Sequence, residues 1–310
     1  MHKVILLFII ILFLPYSSIS AQKVFNLTEN TSYGVFDLDD TFFCAYEYTN
    51  LTVEVYSTVT FDKLYEFTVE SGRGPGEIET ILGFFIENGI LHFAGPLRIL
   101  LYDLNKREFL DEFIPRERIW EANGVRSNIL YFSTLNPRPN SALFGSVNLQ
   151  TNLFKEYKSS SVEKNPEFDP DNFRATLGLT NNMLTRLSYF TGKISYLNLA
   201  TNMFEEFFID EVKNELEKTE EGTYTNIIFT DHILLNDTTI VLSAEGRSEV
   251  MKYEKNVVYR YDLVTRGKPS SVYTSKLKNI SKIRSNKSIL LLIDVKSNQF
   301  EVVKKADLDL

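Results

Sequence analysis

The chain has 310 residues, 44% of them hydrophobic, with 24 Phe and 16 Tyr against one Trp and one Cys. That suffices for one large all-β domain or two smaller ones, and its 14 Gly and 9 Pro are too few for a collagen-like or low-complexity chain. The formal net charge is −8 without a basic run, which argues against nucleic acid and anionic membrane surfaces as partners.

Lys3 opens a segment whose apolar core, Val4 to Leu14, is broken by Pro15 and followed by the small residues of YSSISA. This is the pattern of a secretory signal peptide, expected over residues 1–21, with cleavage after Ser20 or Ala21. The apolar run is too short to span a bilayer comfortably, and no cysteine in it offers a lipid attachment point. The mature chain is therefore expected to be exported, periplasmic or extracellular, without a lipid anchor. Cys44 cannot form an internal disulfide; it lies in apolar FFCAYEY and is expected to pack as a small hydrophobe.

The strand-like KLYEFTVE (63–70) runs into GRGPGEI, Gly72 to Ile78. Gly72, Gly74 and Gly76 reach positive φ at little cost, and Pro75 fixes its own φ and donates no N–H. A tight, defined structural turn is expected. A phosphate-cradling loop needs a helix after it, and the next segment, ILGFFIENGILHFAG, reads as strand. Arg73 and Glu77 are the side chains of this loop that could meet a ligand.

From here an eight-residue phrase recurs: apolar, Asp or Asn, Leu or Val, four residues, Phe. It stands as YDLNKREF at Tyr102, VNLQTNLF at Val147, LNLATNMF at Leu197 and IDVKSNQF at Ile293, with degenerate copies at Tyr56 and Tyr261. Each copy reads as strand, polar turn, strand, the Asp or Asn starting the turn through its own backbone. Counted from the second position of each copy, the intervals are 46, 45, 50, 64 and 32 residues, and a period near 45 fits a four-stranded propeller blade. Five blades are legible, over 33–70, 82–115, 118–158, 173–210 and 225–276, with Asn88-Gly89 as a hairpin turn. Residues 279–310 have room for three strands, so the N-terminal KVFNLT (23–28) is expected to supply the fourth and close the ring. The fold expected is all-β, a six-bladed β-propeller forming a single domain over 22–310; five or seven blades, or two β-sandwiches, are the alternatives. NPRPNS (136–141) reads as a loop in the third blade, and polar stretches at 159–172, 211–222 and 245–256 read as insertions between strands, the second as a short exposed helix.

The G-x-G-P-G-E loop after the first blade, the period and the leader together resemble the TolB-like six-bladed β-propeller proteins common in Bacteroidetes. The resemblance covers nearly the whole mature chain. It implies a propeller at the cell envelope and carries over no catalytic set. Many relatives have a lipobox cysteine after the signal peptide, and this chain has none.

The residues support a binding module over an enzyme. Only His92 and His232 remain beyond the leader, too few for a multi-histidine metal site. Asp231-His232 could form an oriented base, but no nucleophile motif accompanies it. Sialidase-type and quinone-dependent propellers need Trp-bearing blade motifs, and Trp120 is alone. No cofactor is expected, except that a calcium-dependent lactonase-like hydrolase in the central channel is the alternative function. It would converge oxygens from residues near expected strand beginnings or ends, such as Glu77, Asn123, Asn181 and Asp231. The candidate ligand-binding set is Arg73, Glu77, Asn123, Asp231 and His232. The funnel, expected to be acidic, would take a polar or cationic group of an envelope protein, peptide or glycan.

Overall fold

The computed structural model describes residues 23–28, 32–116, 118–119, 121–133, 144–157, 175–189, 192–209, 229–244 and 253–308. The expected signal peptide, the NPRPNS loop, the insertions at 159–172 and 211–222, most of that at 245–256, and Trp120 lie outside them. Apart from a 3-10 turn at Lys305–Asp307, every regular element among the described residues is a strand.

The first strand, β1 (Lys23–Asn26), is set aside for the last blade. Blade 1 then follows as β2 (Tyr33–Leu38), β3 (Phe42–Glu47), β4 (Thr52–Ser57) and β5 (Lys63–Thr68). Blade 2 is β6 (Gly83–Glu87), β7 (Ile90–Ala94), β8 (Ile99–Asp103) and β9 (Glu108–Phe113). Blade 3 is β10 (Glu121–Arg126), β11 (Ile129–Ser133), β12 (Phe144–Asn148) and β13 (Phe154–Tyr157). Blade 4 is β14 (Ala175–Leu179), β15 (Met183–Ser188), β16 (Lys193–Asn198) and β17 (Phe204–Phe208). Blade 5 is β18 (Phe229–Leu234), β19 (Thr239–Ala244), β20 (Val257–Asp262) and β21 (Ser270–Thr274). Blade 6 is β22 (Lys282–Ser285), β23 (Ile289–Asp294) and β24 (Gln299–Lys304), completed by β1 on its outer edge. The closing register is Lys23↔Val302, Val24↔Glu301, Phe25↔Phe300 and Asn26↔Gln299, the pairing that the short final repeat implied.

Each sheet is antiparallel and stacks on the next, so the core is a set of apolar layers between blades. Cys44, Val53 and Val55 of blade 1 meet Phe84, Leu91 and Phe93 of blade 2. Met183, Leu187 and Ile194 of blade 4 meet Phe229, Ile240 and Leu242 of blade 5. Middle strands such as FFCAYE and MLTRLS are buried on both faces, which is why they read as unbroken runs and not as alternation. Outermost strands such as β9 are largely exposed. At the seam, Phe300 is fully buried and packs against Phe25, Phe43 and Phe61.

The recurring phrase is the hairpin between third and fourth strands. In all six copies the second residue caps the turn: Ser57, Asp103, Asn148, Asn198, Asp262 and Asp294 accept the main-chain N–H two residues on. In all six the residue four places on has positive φ: Phe61, Arg107, Asn152, Asn202, Arg266 and Asn298. Two strands differ from the reading of the sequence. β10 starts at Glu121 and not at Arg118, and β18 runs on to Leu234, which moves Asn123 and Asp231 from strand ends into strands. In blade 6 the phrase joins the second and third strands, one strand early, which explains the short last interval.

Candidate functional site

The innermost strands β2, β6, β10, β14, β18 and β22 stand side by side around a central cavity of ≈ 430 Å³. Side chains stitch each neighbouring pair. Asp37 Oδ2 accepts the Ile86 N–H at 2.7 Å, and Glu87 Oε1 accepts the Ser127 N–H at 2.7 Å. Arg126 donates to Asn181 Oδ1, and Thr180 donates to Asp237 Oδ1 at 2.6 Å. Asp231 Oδ2 accepts the Ile283 N–H at 2.9 Å, and Arg284 Nε donates to the Phe36 carbonyl at 2.8 Å, which closes the circle.

Three of these strands are bulged, in blades 1, 3 and 5, with register shifts spanning Gly34, Asn123 and Thr230. A bulge leaves one residue outside the ladder and re-aims its side chain. At Gly34 the ring of Tyr48 fills the space a Cβ would need. Thr230 is satisfied by Ser243 Oγ at 2.8 Å and the Ile280 carbonyl at 2.9 Å. Asn123 is not satisfied: it lies on the cavity wall, 6% exposed, and among the described residues neither Nδ2 nor Oδ1 has a hydrogen-bond partner.

The charged wall is mixed. Asp37 and Asp231 face Arg126, Lys282 and Arg284. Arg284 Nη1 donates to Asp231 Oδ2 at 2.7 Å, and Asp231 Oδ1 also takes the His232 main-chain N–H at 3.0 Å. Burial opposes ionisation of Asp231, yet Arg284, Lys282 and the Ile283 N–H outweigh it and hold its pKa below the usual carboxylate range. For Asp37 burial wins over Arg284 and the Ile86 N–H and pushes the pKa up to about 6. The Asp37 side chain still touches the cavity, so its burial is that of a group deep inside the ring and not sealed from water.

The structure places the sequence candidates in two groups. Asn123 and Asp231 share the cavity wall. His232 follows Asp231 on the strand and so points to the other side. Its fully buried ring is held between Thr176 Oγ1 at Nδ1 and Thr185 Oγ1 at Nε2, the latter at 2.8 Å. Asp231 meets the His232 backbone and not its ring, so the pair is not an oriented acid–base couple.

Arg73 and Glu77 lie elsewhere, in a loop lashed to blade 2. Gly74, Pro75, Gly76 and Glu77 form a turn closed by Glu77 N–H to the Gly74 carbonyl at 3.2 Å. With proline second and Gly76 at φ +77 third, this is a type II turn. Glu77 Oε2 accepts the Gly74 N–H at 2.7 Å and occupies the space a Cβ on Gly72 would need. Arg98 donates to the Gly74 and Arg73 carbonyls and to Glu112, which also takes the Gly76 N–H. Arg73 points outward, paired with Glu79 at 2.6 Å. The cavity wall is reached by Ile81 and Leu82, after the loop, and not by Arg73 or Glu77.

Sequence reasoning passed over Asp37, Lys282 and Arg284. The signal for the last two was the alternation Lys282-x-Arg284 in the short strand KIRS, which puts both on one face. The wall's three cations against two acids also correct the expectation of an acidic funnel.

No family model matches this chain, and no curated protein matches it in sequence. Solved structures do resemble it. U3-55K aligns with a TM-score of 0.59 at 12% identity, over 92% of this chain and 99% of that one. The WD40 repeats of RRP9 align at 0.58 and 12%, over 91% and 97%. A protein of Bacteroides fragilis NCTC 9343, provisionally described as exported, aligns at 0.55 and 10%, over 91% and 93%. At such identities the likeness is one of fold.

Proposed function

We propose that this chain is an exported propeller of the TolB-like kind, residues 22–310 after cleavage of a leader, and that it works as a binding module with a polar ligand in its central cavity. Asn123 carries the reading. A buried amide with neither polar atom partnered costs about 1–3 kcal/mol, and a ligand that supplies the partners recovers that cost. The two wall carboxylates are engaged: Asp231 by Arg284, Ile283 and His232, and Asp37 by Ile86. Paired polar groups support a binding module over the calcium lactonase-like alternative, which needs three or more unpaired oxygens at one point. The ligand is a part of an envelope protein, peptide or glycan, in keeping with the expected leader and with the Bacteroides fragilis protein of similar fold that is provisionally described as exported. No helix among the described residues is long and apolar enough to cross a membrane.

The test is the variant Asn123→Leu, followed by capture from envelope extract and by thermal melting. A residue kept for ligand binding against the interest of the fold gives lost capture with an unchanged or higher melting temperature. A lowered melting temperature with capture retained would make Asn123 structural and remove the basis of this reading.

A further inference from the structure

Resting on that reading, we infer that the cavity takes a carboxylate-bearing ligand, with Lys282 receiving the carboxylate and Asn123 an adjacent amide or hydroxyl group. The chain as a whole is acidic, at −8, yet the wall inverts that sign. Arg284 and Asp231 are committed to each other at 2.7 Å, so neither has its charge free for a ligand. Arg126 is held by Asn181, a neutral amide that fixes its position without compensating its charge. Lys282 is half-buried on the wall and, among the described residues, neither a carboxylate within ion-pair distance nor a side-chain hydrogen bond ties it down. Asp231, the carboxylate that feels its charge, is paired with Arg284, so this half-buried ammonium keeps charge for an anion and attracts one more strongly than it would in open water, because less solvent screens it.

Its surroundings limit which anion. Tyr48 and Tyr189 line the same cavity, so two phenolic hydroxyls can share in holding acceptor oxygens. Asp37 and Asp231 on the same wall repel a second negative charge, which disfavours a phosphate dianion relative to a carboxylate. The Asn123 amide offers one donor group and one acceptor, the match for an amide or hydroxyl beside the carboxylate. A peptide C-terminus and a small acylated amino acid share this chemistry.

Calorimetric titration of the purified exported protein with N-acetylglycinate, N-acetylglycinamide and inorganic phosphate tests it. The acid should bind at least about tenfold more tightly than the uncharged amide, a difference of about 1.4 kcal/mol. Lys282→Gln should erase that preference without lowering the melting temperature, since no ion pair is lost. Equal binding of acid and amide, or a preference untouched by Lys282→Gln, overturns the carboxylate assignment. If Asn123→Leu still abolishes binding of both in that case, the cavity reading stands. Stronger binding of phosphate overturns the assignment in favour of a dianion. A protein that binds none of the three overturns it outright, and envelope capture then judges the broader reading separately.

Discussion

Burial lifts the Asp37 pKa from 3.8 to about 6, against Arg284 and the Ile86 N–H, and lowers the His232 pKa from 6.5 to about 4. A carboxyl with a raised folded-state pKa contributes stability that is present at low pH and lost as pH rises through about 6. An imidazole with a lowered folded-state pKa contributes stability that is present above 6.5 and lost as pH falls toward about 4. The two oppose each other in one window, so urea midpoints of the native protein should vary little across it. Asp37→Asn should steepen the loss of stability on acidification, and His232→Gln should reverse the slope. Three parallel pH profiles would show that neither group titrates as argued. The GRGPGE loop divides by residue as well. Glu77→Ala should cost about 1–2 kcal/mol through the orphaned Gly74 N–H, whereas Arg73→Ala should leave the melting temperature unchanged. The tight turn was legible from Gly-Pro-Gly, because local conformational rules decide it. Its distance from the cavity was not, because Arg98 and Glu112, which tie it down, come from a different part of blade 2. Asn123 and Asp231 were singled out on expected strand ends. They stand within strands, and the bulges beside them follow from packing around a closed ring, which no local pattern announces.

At the scale of the hairpin, the repeated phrase joins two roles in one turn. The Asp, Asn or Ser at its second position caps the turn, and in four copies the residue at positive φ reaches sideways. Phe61 packs on Phe25 of blade 6, Arg107 lies over the Tyr65 ring of blade 1, and Arg266 over Phe207 of blade 4. Asn152 Nδ2 donates to the Ile114 carbonyl beyond blade 2 at 3.1 Å. This accounts for Phe and Arg in a conformation that suits Asn or Gly: the contact with the preceding blade offsets a left-handed backbone cost of roughly 1–2 kcal/mol. Asn148→Ala should lower stability by about 1 kcal/mol, since two turn N–H groups lose their acceptor. Arg266→Asn should cost little or nothing, as relief of the backbone offsets the lost contacts with Glu205 and Phe207. Urea unfolding measures both, and a large loss for Arg266→Asn would show that the sideways contact dominates. The phrase was visible because the turn demands particular residue types. Its displacement by one strand in blade 6 was hidden, because the turn is the same whichever strands it joins.

For the whole molecule, stability is distributed over the layers between blades, and the seam between blades 6 and 1 is the one joint made from both ends of the described chain. Phe300→Ala there should cost about 3–5 kcal/mol, the usual range for a buried Phe. Removing residues 23–28 should broaden the melting transition and lower its midpoint, because blade 6 then ends at β24 with its edge unpaired. The ring itself was readable in the sequence from the repeat and from the missing strand, both properties of chain order. The inverted charge of its centre was not, since it depends on which strand faces inward. The pairing of β1 with β24 has a kinetic side. Its partners are the most widely separated strand pair among the described residues, so the loop they close forms late and slowly. Until it closes, the exposed edge of β24 fits β1 of any neighbouring copy as well as its own. Refolding at rising protein concentration should therefore yield strand-exchanged dimers that persist on dilution, and Val24→Pro should suppress them along with efficient monomer closure.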